Sequence, residues 1–302
     1  MGVFGLDQDH ARSGRRLDVS ADPGRARRCD ARTDAEEALA IAERLAALFL
    51  GHGSPMTTIT DGPERRTWQT LGRALPRPKA ILAITAHWET SGATHLTAGA
   101  APRTIHDFGG FPQELFDIRY PAPGSPELVE RVAALLGHDR VVRDESWGFD
   151  HGAWGVLLPM FPEADIPLVA MSLDRALSPR QHLALGERLA PLRDEGVLIV
   201  ASGNVIHNLA LWRQSQGTVP DWAARFRDQV NTALQTGNHE ALLDLDGEPA
   251  RLAVNSGEHY LPLLYAAGAR LPGDAVAIFN DTIDSALSMT SVLFGDPAYV
   301  AA

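Results

Sequence analysis

Five of the eleven histidines in this sequence lie where a side chain can take part in chemistry, at the ends of apolar runs or in glycine-rich segments. They are His52, His87, His151, His207 and His259. An imidazole can bind a metal ion or exchange a proton near neutral pH. Several imidazoles in such positions are typical of a metal site or a proton-transfer site, so we expect these five side chains to meet.

His52 and His87 each follow an apolar run that indicates a buried strand, LFLG and ILAITA respectively. His52 opens a sharp turn, and the glycines on both sides of it leave room for a ligand near the backbone. Ser54, in the same turn, is a candidate substrate contact. Taken alone, His52 could instead bond to neighbouring carbonyl groups, and His87 could be a hydrogen-bonded core residue.

His207 follows the strand-like run VLIVAS within the segment ASGNVIHNL. The short polar residues Ser202 and Asn204 just before it are suited to bonding a ligand, and Asn204 is a candidate substrate contact. His259 follows Glu258 and precedes the apolar run YLPLLY. It could be a metal ligand or a residue that caps a helix.

His151 lies in WGFDHGAWG, which we interpret as an aromatic-rich turn. The neighbouring Asp150 would raise the pKa of His151 if the two side chains met. Trp147, Phe149 and Trp154 could form a flat apolar wall that suits an aromatic ligand, with Trp154 as the candidate substrate contact. The alternative is that these aromatic residues pack in the core.

The other histidines carry weaker signals. His106, in TIHDFGGFP, is intermediate, because its glycine-rich neighbourhood could form a loop over a site. The remaining five lie in polar surroundings and are predicted to be on the surface: His10, His95, His138, His182 and His239.

The composition limits the classes of function. The chain has 302 residues, a net charge of −11 and only one cysteine, Cys29, which excludes an internal disulfide and a thiolate metal cluster. The negative charge argues against nucleic acid as a partner. We find no apolar run of membrane-spanning length and no apolar core of a secretion signal, so we expect a cytoplasmic protein that does not enter a membrane. The phosphate-loop, dinucleotide-binding, HExxH and GxSxG motifs are all missing from the sequence.

The apolar runs alternate with segments of helical pattern. Strands are predicted at 45–50, 80–86, 140–144, 167–173, 197–202 and 275–279, and helices near 64–74, 125–137, 178–193, 221–235 and 259–268. The strand runs are continuously apolar, which indicates a sheet covered on both faces. This favours a single-domain α/β sandwich with a largely parallel or mixed central sheet flanked by helices. Ligands of such sheets bind beyond the carboxyl ends of the strands.

The N-terminal part differs from the rest in composition. Residues 1 to about 33 hold few large apolar groups and are predicted to be disordered, and a short helix is predicted to begin at Thr33. We therefore divide the chain into a mostly disordered N-terminal extension, 1–44, and one catalytic domain, 45–302.

Six long segments carry a resemblance to a known family: LFLGHGSPM, TAHW, TIHDFGGFPQELFDIRYPAPGSPEL, WGFDHGAWGVLLPMFPEADIPLV, ASGNVIHNL and EHYLPLLYAAGA. The sequence from about Leu48 onwards resembles the extradiol ring-cleaving dioxygenases of the DODA type, within the class III, LigB-like superfamily. The resemblance is strongest to the bacterial 4,5-DOPA extradiol dioxygenases.

The resemblance implies that His52, His87 and His259 bind one divalent metal ion. His207 would be either a further ligand or the base beside the metal, and His151 would face the substrate and exchange protons with it. Many non-haem iron oxygenases use two histidines and a carboxylate, so Glu258 stays open as an alternative ligand. Fe(II) is the metal expected for activity, whereas the all-histidine set also suits Zn(II), which has no redox role.

The implied reaction opens the ring of a DOPA-like catechol with O2 and gives a muconic semialdehyde. His207 would take a proton from the catechol and His151 would return one. The partners would be a small aromatic catechol and O2, with the chain as a monomer or small homo-oligomer, and Arg119 is a candidate contact for a substrate carboxylate. The rival interpretations are a zinc-dependent hydrolase and a non-catalytic binding protein on the same fold.

Overall fold

The computed structural model describes residues 44–301 apart from Gln216. The predicted disordered tail, the helix expected from Thr33, His10 and Cys29 all lie outside the described residues. Residues 44–301 form a mixed α/β fold with a large central sheet and flanking helices, which confirms the predicted fold class.

The structure contains ten strands in two sheets. The strands are β1 Ala47–Gly51, β2 Ala80–Thr90, β3 Thr94–Thr97, β4 Val141–Asp144, β5 Leu168–Asp174, β6 Val197–Gly203, β7 Ala275–Phe279, β8 Ile283–Asp284, β9 Leu287–Ser288 and β10 Ser291–Gly295. Eight of them form one sheet in the order β4-β3-β5-β2-β6-β1-β10-β7, and β8 pairs with β9 alone.

The centre of the large sheet is parallel and its flanks are mixed. β2 is parallel to both β5 and β6, and β6 is parallel to β1. β10 runs antiparallel to β1 and β7, and β3 runs antiparallel to β5. Every residue of β1, β5 and β6 is buried, which explains why these strands read as continuous apolar runs. The parallel centre brings the carboxyl ends of β1, β2 and β6 to one edge.

All six predicted strands are present, and the structure contains four further strands that were not predicted. Those are the short strands β3, β8 and β9, and β10, whose antiparallel pairing places it between β1 and β7. The two-residue strands β8 and β9 are too short for a sequence pattern to identify.

Eleven α-helices lie in the described residues: α1 Pro63–Ala74, α2 Gln113–Asp117, α3 Pro126–Leu136, α4 His151–Met160, α5 Pro179–Leu189, α6 Leu209–Gln214, α7 Asp221–Thr236, α8 His239–Leu243, α9 Glu248–Val254, α10 Leu261–Gly268 and α11 Ala298–Ala301. Two 3-10 helices, Pro55–Thr58 and Ala190–Arg193, accompany them. Four predicted helices agree closely with α1, α3, α5 and α7, and the fifth, α10, begins at Leu261 rather than at 259.

The interpretation of WGFDHGAWG as a turn is wrong from His151 onwards, because this residue begins α4. Asp150 is the N-cap, and its side chain accepts a hydrogen bond from the backbone N–H of Ala153. Two glycines and Pro159 give this segment a low intrinsic helix propensity. Nine of its ten residues are buried, so tertiary packing rather than propensity stabilises the helix.

Two apolar layers cover the two faces of the sheet. One contains side chains of α3, α5, α7 and α10, and the other contains side chains of α1 and α4. Trp154 belongs to the second layer together with Phe149, and both are fully buried. The packing therefore supports the alternative that these two aromatic residues belong to the hydrophobic core.

Three of the histidines that were predicted to be on the surface are not exposed: His182, His95 and the half-buried His239. His182 is fully buried, and its Nδ1 lies 2.9 Å from the hydroxyl of Tyr265. His95 is half-buried, with its Nδ1 3.2 Å from Asp144 Oδ2. These three predictions were wrong because polar neighbours in sequence do not show what covers a residue from elsewhere in the chain. None of the helices in the described part of the chain is long and apolar enough to cross a bilayer.

Candidate metal centre

The edge of the sheet where β1, β2 and β6 end carries the first histidines of the site. His52 is the residue after β1, and its backbone N–H donates to the carbonyl of Gly203 at the end of β6, at 3.1 Å. His87 lies within β2, not after its end as predicted. The pairing of β2 with β5 shifts register between Ile84 and Glu89, and this irregularity includes His87.

His207 and His259 come from the segments that follow β6 and precede α10. The backbone N–H of His207 donates to the carbonyl of Ala253 at 2.9 Å, and His207 also forms an isolated bridge with Leu287. The carbonyl of His259 accepts a hydrogen bond from the backbone N–H of Asn204 at 2.9 Å. The backbone itself thus ties His259 to the end of β6.

Three of the histidines face one another. The ring centroids of His52, His87 and His259 lie 5.0, 5.1 and 5.2 Å apart pairwise. Their nearest ring nitrogens, Nε2 of His52 and Nε2 of His87, are 3.2 Å apart. One nitrogen from each of the three rings lies within 4.8 Å of the other two, a spacing at which one ion can contact all three.

Each of the three rings is held through its other nitrogen. The contacts are His52 Nδ1 to Ser202 Oγ at 2.8 Å, His87 Nδ1 to Asp107 Oδ2 at 3.0 Å and His259 Nδ1 to Asn204 Oδ1 at 3.1 Å. Asn204 presents its oxygen to His259 because its amide nitrogen donates to the carbonyl of Ser288. A carboxylate and an amide oxygen only accept, so they place a proton on Nδ1 and leave Nε2 with its lone pair.

The donor set fits a divalent cation. Burial lowers the pKa of His52 and of His259 well below the ordinary value, and the neighbouring histidines lower both further. Burial also opposes the charged form of His87, but the hydrogen bond to Asp107 and the nearby carboxylates of Asp150 and Asp107 raise its pKa. Converging lone pairs repel each other unless a cation lies between them, and three imidazole nitrogens are a common ligand set for such a cation.

Asp107 is the residue that the sequence analysis missed. Its Oδ2 accepts from His87, while its Oδ1 accepts from both Nδ1 and the backbone N–H of His151, each at 2.9 Å. Burial would raise the pKa of Asp107, but the hydrogen bonds to His151 and His87 lower it far below its usual range. Its place in the glycine-rich loop after His106, already considered as a cover for a site, is the signal that could have found it.

His151 lies against the metal-facing histidines but is held separately. Its ring centroid is 4.0 Å from that of His87, with an angle of 62° between the ring planes. Burial lowers its pKa, and the hydrogen bond to Asp107 offsets this only in part. Asp150 also acts to raise the pKa of His151, as expected, but burial has the larger effect and the pKa is lowered overall. The carboxylate of Asp150 does not bond to His151; it accepts from Thr85 Oγ1 and from the backbone N–H of Ala153 at the start of α4.

His207 stacks on His259, with ring centroids 3.4 Å apart and an angle of 11° between the ring planes. Burial lowers the pKa of His207 to about 4, against the opposing effect of Glu258. Glu258 Oε1 is 4.0 Å from His259 Nε2, and these three residues form a second group with metal-ligand spacing. Glu258 does not belong to the group formed by His52, His87 and His259.

All five histidines line one cavity of about 480 Å³. Ser54 lines it as expected, and its apolar wall is formed by Phe108, Phe111 and Trp212. These three aromatic residues were not identified from the sequence.

Two of the expected substrate contacts lie elsewhere. Trp154 is buried behind Phe108, and its indole N–H donates to the carbonyl of Ile105 at 2.8 Å. Asn204 lies behind His259, as described above.

Two further candidate residues also lie outside the cavity lining. Trp147 stacks on Trp88, with 5.3 Å between the ring centroids, and so contributes to packing. Arg119 is exposed and donates to carbonyls of its own loop, those of Phe116 and Ile118.

Residues 46–291 match the family described as the catalytic LigB subunit of aromatic ring-opening dioxygenase. The chain belongs to the LigB family. The motif-based prediction of a ring-cleaving dioxygenase is thereby confirmed, and the family match does not support the hydrolase or binding-protein interpretation.

The LigB-family chain is also similar to proteins whose activity is named. It is 48% identical to the 4,5-DOPA dioxygenase extradiol of Escherichia coli (strain K12), over 83% of this chain and 95% of the relative. It is 38% identical to the 4,5-DOPA dioxygenase extradiol of Beta vulgaris, over 79% of this chain and 92% of the relative. The crystal structure of an uncharacterized protein from E. coli K12 matches with a TM-score of 0.73 and 43% identity, covering 83% of this chain and 100% of that one.

Proposed function

We propose that this LigB-family chain is an extradiol dioxygenase that opens the ring of a DOPA-like catechol at an Fe(II) ion held by His52, His87 and His259. The observation that carries the proposal is the convergence of three imidazoles whose Nδ1 atoms are each held by a separate partner. The names of the E. coli and Beta vulgaris relatives support the substrate class.

The identity of the bound metal decides which reaction the site can catalyse. Fe(II) at these nitrogens would supply the redox chemistry that joins O2 to the ring, whereas Zn(II) would bind a catechol without that chemistry. The site excludes neither ion by its donor set, since neutral imidazoles suit both.

His207 is the proposed base for the first proton transfer. It lines the cavity beside His259, and burial keeps its imidazole neutral, which is the form that accepts a proton. The lowered pKa also makes His207 a weak base, so transfer of the proton of a catechol hydroxyl to His207 would require the bound metal to make that hydroxyl more acidic.

His151 is the proposed acid for the return of the proton. Asp107 occupies its Nδ1, so its Nε2 remains for exchange with a bound molecule. The pairing of an acid–base residue with a carboxylate that fixes its orientation is common in enzymes. Both oxygen atoms of O2 stay in the muconic semialdehyde. The proton that His207 takes from the catechol must pass through the cavity to Nε2 of His151, which then returns it, so that both imidazoles end neutral and the reaction balances.

Phe108, Phe111 and Trp212 are proposed to hold the aromatic ring and to exclude water. Flat apolar side chains favour an aromatic ligand through stacked or edge-on contacts. Removal of water from the cavity also strengthens the charge interactions of the histidines with the substrate.

Anaerobic loading of metal-free protein with Fe(II), and in parallel with Zn(II), tests this proposal. We expect O2 uptake and the absorbance of a ring-opened product when DOPA or a related catechol is added to the iron-loaded protein. The zinc-loaded protein should bind the catechol and consume no O2. Binding of one iron per chain with no O2 uptake for any catechol would overturn the proposal.

A further inference from the structure

The cavity of the five histidines has a single arginine and no lysine among its described lining residues, and that arginine is Arg213. A guanidinium carries a positive charge and presents a fork of hydrogen-bond donors. Within residues 44–215 and 217–301, no carboxylate lies at salt-bridge distance from Arg213. The charge of Arg213 thus faces a cavity whose other end carries the metal-facing histidines.

Several contacts set the place of Arg213 relative to the histidines. It lies in α6, which begins two residues after His207, and α6 presents Leu209, Trp212 and Arg213 to the cavity. Asn208 caps this helix by accepting from the backbone N–H of Leu211 at 3.1 Å. Leu209 and Arg213 are four residues apart, roughly 6 Å along a helix axis, so Arg213 stands about one turn farther from His207 than Leu209 does.

Further hydrogen bonds hold α6 against the body of the protein. The amide nitrogen of Asn208 donates to the carbonyl of Leu252 at 2.9 Å. The indole N–H of Trp212 donates to Asp284 Oδ2 at 2.8 Å. These bonds hold Trp212, the residue next to Arg213, in place. The side chain of Arg213 lines the cavity, where its guanidinium can contact a ligand.

We propose that Arg213 binds a carboxylate at the end of the substrate's side chain and so selects catechols that carry an anionic tail. This inference rests on the proposed ring-cleavage function. The two hydroxyls would lie at the histidine end, and the tail would extend along α6 to the guanidinium, whose fork of donors matches a carboxylate. Because Arg213 is exposed, salt weakens the interaction.

A binding measurement tests the charge recognition apart from turnover. The probes are 3-(3,4-dihydroxyphenyl)propionate and its primary amide, titrated calorimetrically into zinc-loaded protein. We expect the unaltered protein to bind the acid about tenfold more tightly than the amide at low salt. A charge-assisted hydrogen bond to the guanidinium favours the acid, and the exposure of Arg213 keeps this preference modest. Arg213→Gln should bring the acid-to-amide ratio close to one, and Arg213→Lys should keep part of the preference.

Arg119→Gln is the matched control, because Arg119 is exposed and bonds within its own loop. This variant should retain the full preference for the acid. Added sodium chloride should reduce the preference of the unaltered protein and of Arg119→Gln, and should not change the ratio for Arg213→Gln. An equal affinity of the unaltered protein for acid and amide, or an unchanged ratio in Arg213→Gln, would overturn the inference.

Kinetics on iron-loaded protein separate this inference from the proposed function. Arg213→Gln should raise KM for the acid about tenfold, since the tail contact is made equally before and during reaction. If the unaltered protein consumes no O2 with either compound, the ring-cleavage proposal fails. If it cleaves both with equal KM, the dioxygenase proposal stands and the role of Arg213 is refuted.

Discussion

At the scale of single residues, Asp107 connects His87 with His151. One of its oxygens holds His87, a proposed metal ligand, and the other holds His151, the proposed acid. The carboxylate therefore orients both rings through one side chain. Partners of this kind behind metal-binding histidines contribute strongly to metal affinity.

We expect Asp107→Asn to lower metal affinity by about 10- to 100-fold. An asparagine presents one acceptor and one donor, so its amide nitrogen would face the N–H of either His87 or His151 and one ring would lose its partner. Competition titrations with a zinc chelator measure this change. Asp117→Asn, an exposed position in α2, is the control and should keep the original affinity; equal affinities for the two variants would contradict the role of Asp107.

The histidines should divide into two classes when each is replaced by alanine. His52→Ala and His87→Ala should lose the bound metal, because each removes one of three donors. His207→Ala and His151→Ala should keep most of the metal and lower turnover by about 100- to 10,000-fold. Metal content by elemental analysis, together with steady-state O2 uptake, distinguishes the classes. A metal-free His207→Ala variant would assign His207 to the ligands instead.

At the scale of elements, the end of β6 must come very close to the segment that carries His259. A Cβ atom at Gly203 would lie 2.1 Å from the carbonyl oxygen of His259, a distance that forces the backbone to move. The helices α5 and α10 make a similar approach, since a Cβ at Gly186 would lie 2.5 Å from the carbonyl of Tyr265. The first close approach positions His259, a proposed metal ligand, and the second only packs two helices.

These two glycines provide a matched pair of substitutions. Gly203→Ala should weaken metal binding at least tenfold, because the backbone of His259 must shift away from His52 and His87. Gly186→Ala should destabilise the fold by about 1–3 kcal/mol through overpacking and leave metal affinity unchanged in the folded protein. Denaturant unfolding and metal titration of both variants measure the two effects. Equal metal affinities would show that the site tolerates the displacement.

At the scale of the whole molecule, a buried histidine outside the candidate site makes the free energy of unfolding depend on pH. His182 has no exposed surface, and burial lowers its pKa from 6.5 to about 4. The unfolded chain therefore binds a proton between pH 6.5 and 4 that the folded chain does not bind. The stability that His182 contributes is present in full above pH 6.5 and is lost as the pH falls toward 4.

We expect this loss to amount to about 3 kcal/mol. His182→Gln should remove it, so that the free energy of unfolding of the metal-free variant decreases less between pH 7 and pH 4 than that of the unaltered protein. His138→Gln, at an exposed position, should leave the pH dependence as it is. Urea unfolding at a series of pH values measures the difference, and identical pH profiles for both variants would refute the assignment.

The sequence determined the fold class, six of the eight strands of the central sheet and the five histidines. Each of these is visible locally, in continuous apolar runs and in a polar residue that follows such a run. The long motifs also pointed to the ring-cleaving family before any contact was known.

Only the tertiary structure decided which partners hold the histidines and what lines the cavity. Ser202 lies 150 residues from His52, Asn204 lies 55 from His259, and Asp107 lies 44 from His151. Arg213 likewise faces the cavity because of the way α6 is anchored. A hydrogen bond or an ion pair depends on distance in space, and separations of this size along the chain leave no periodic signal that a sequence pattern could show.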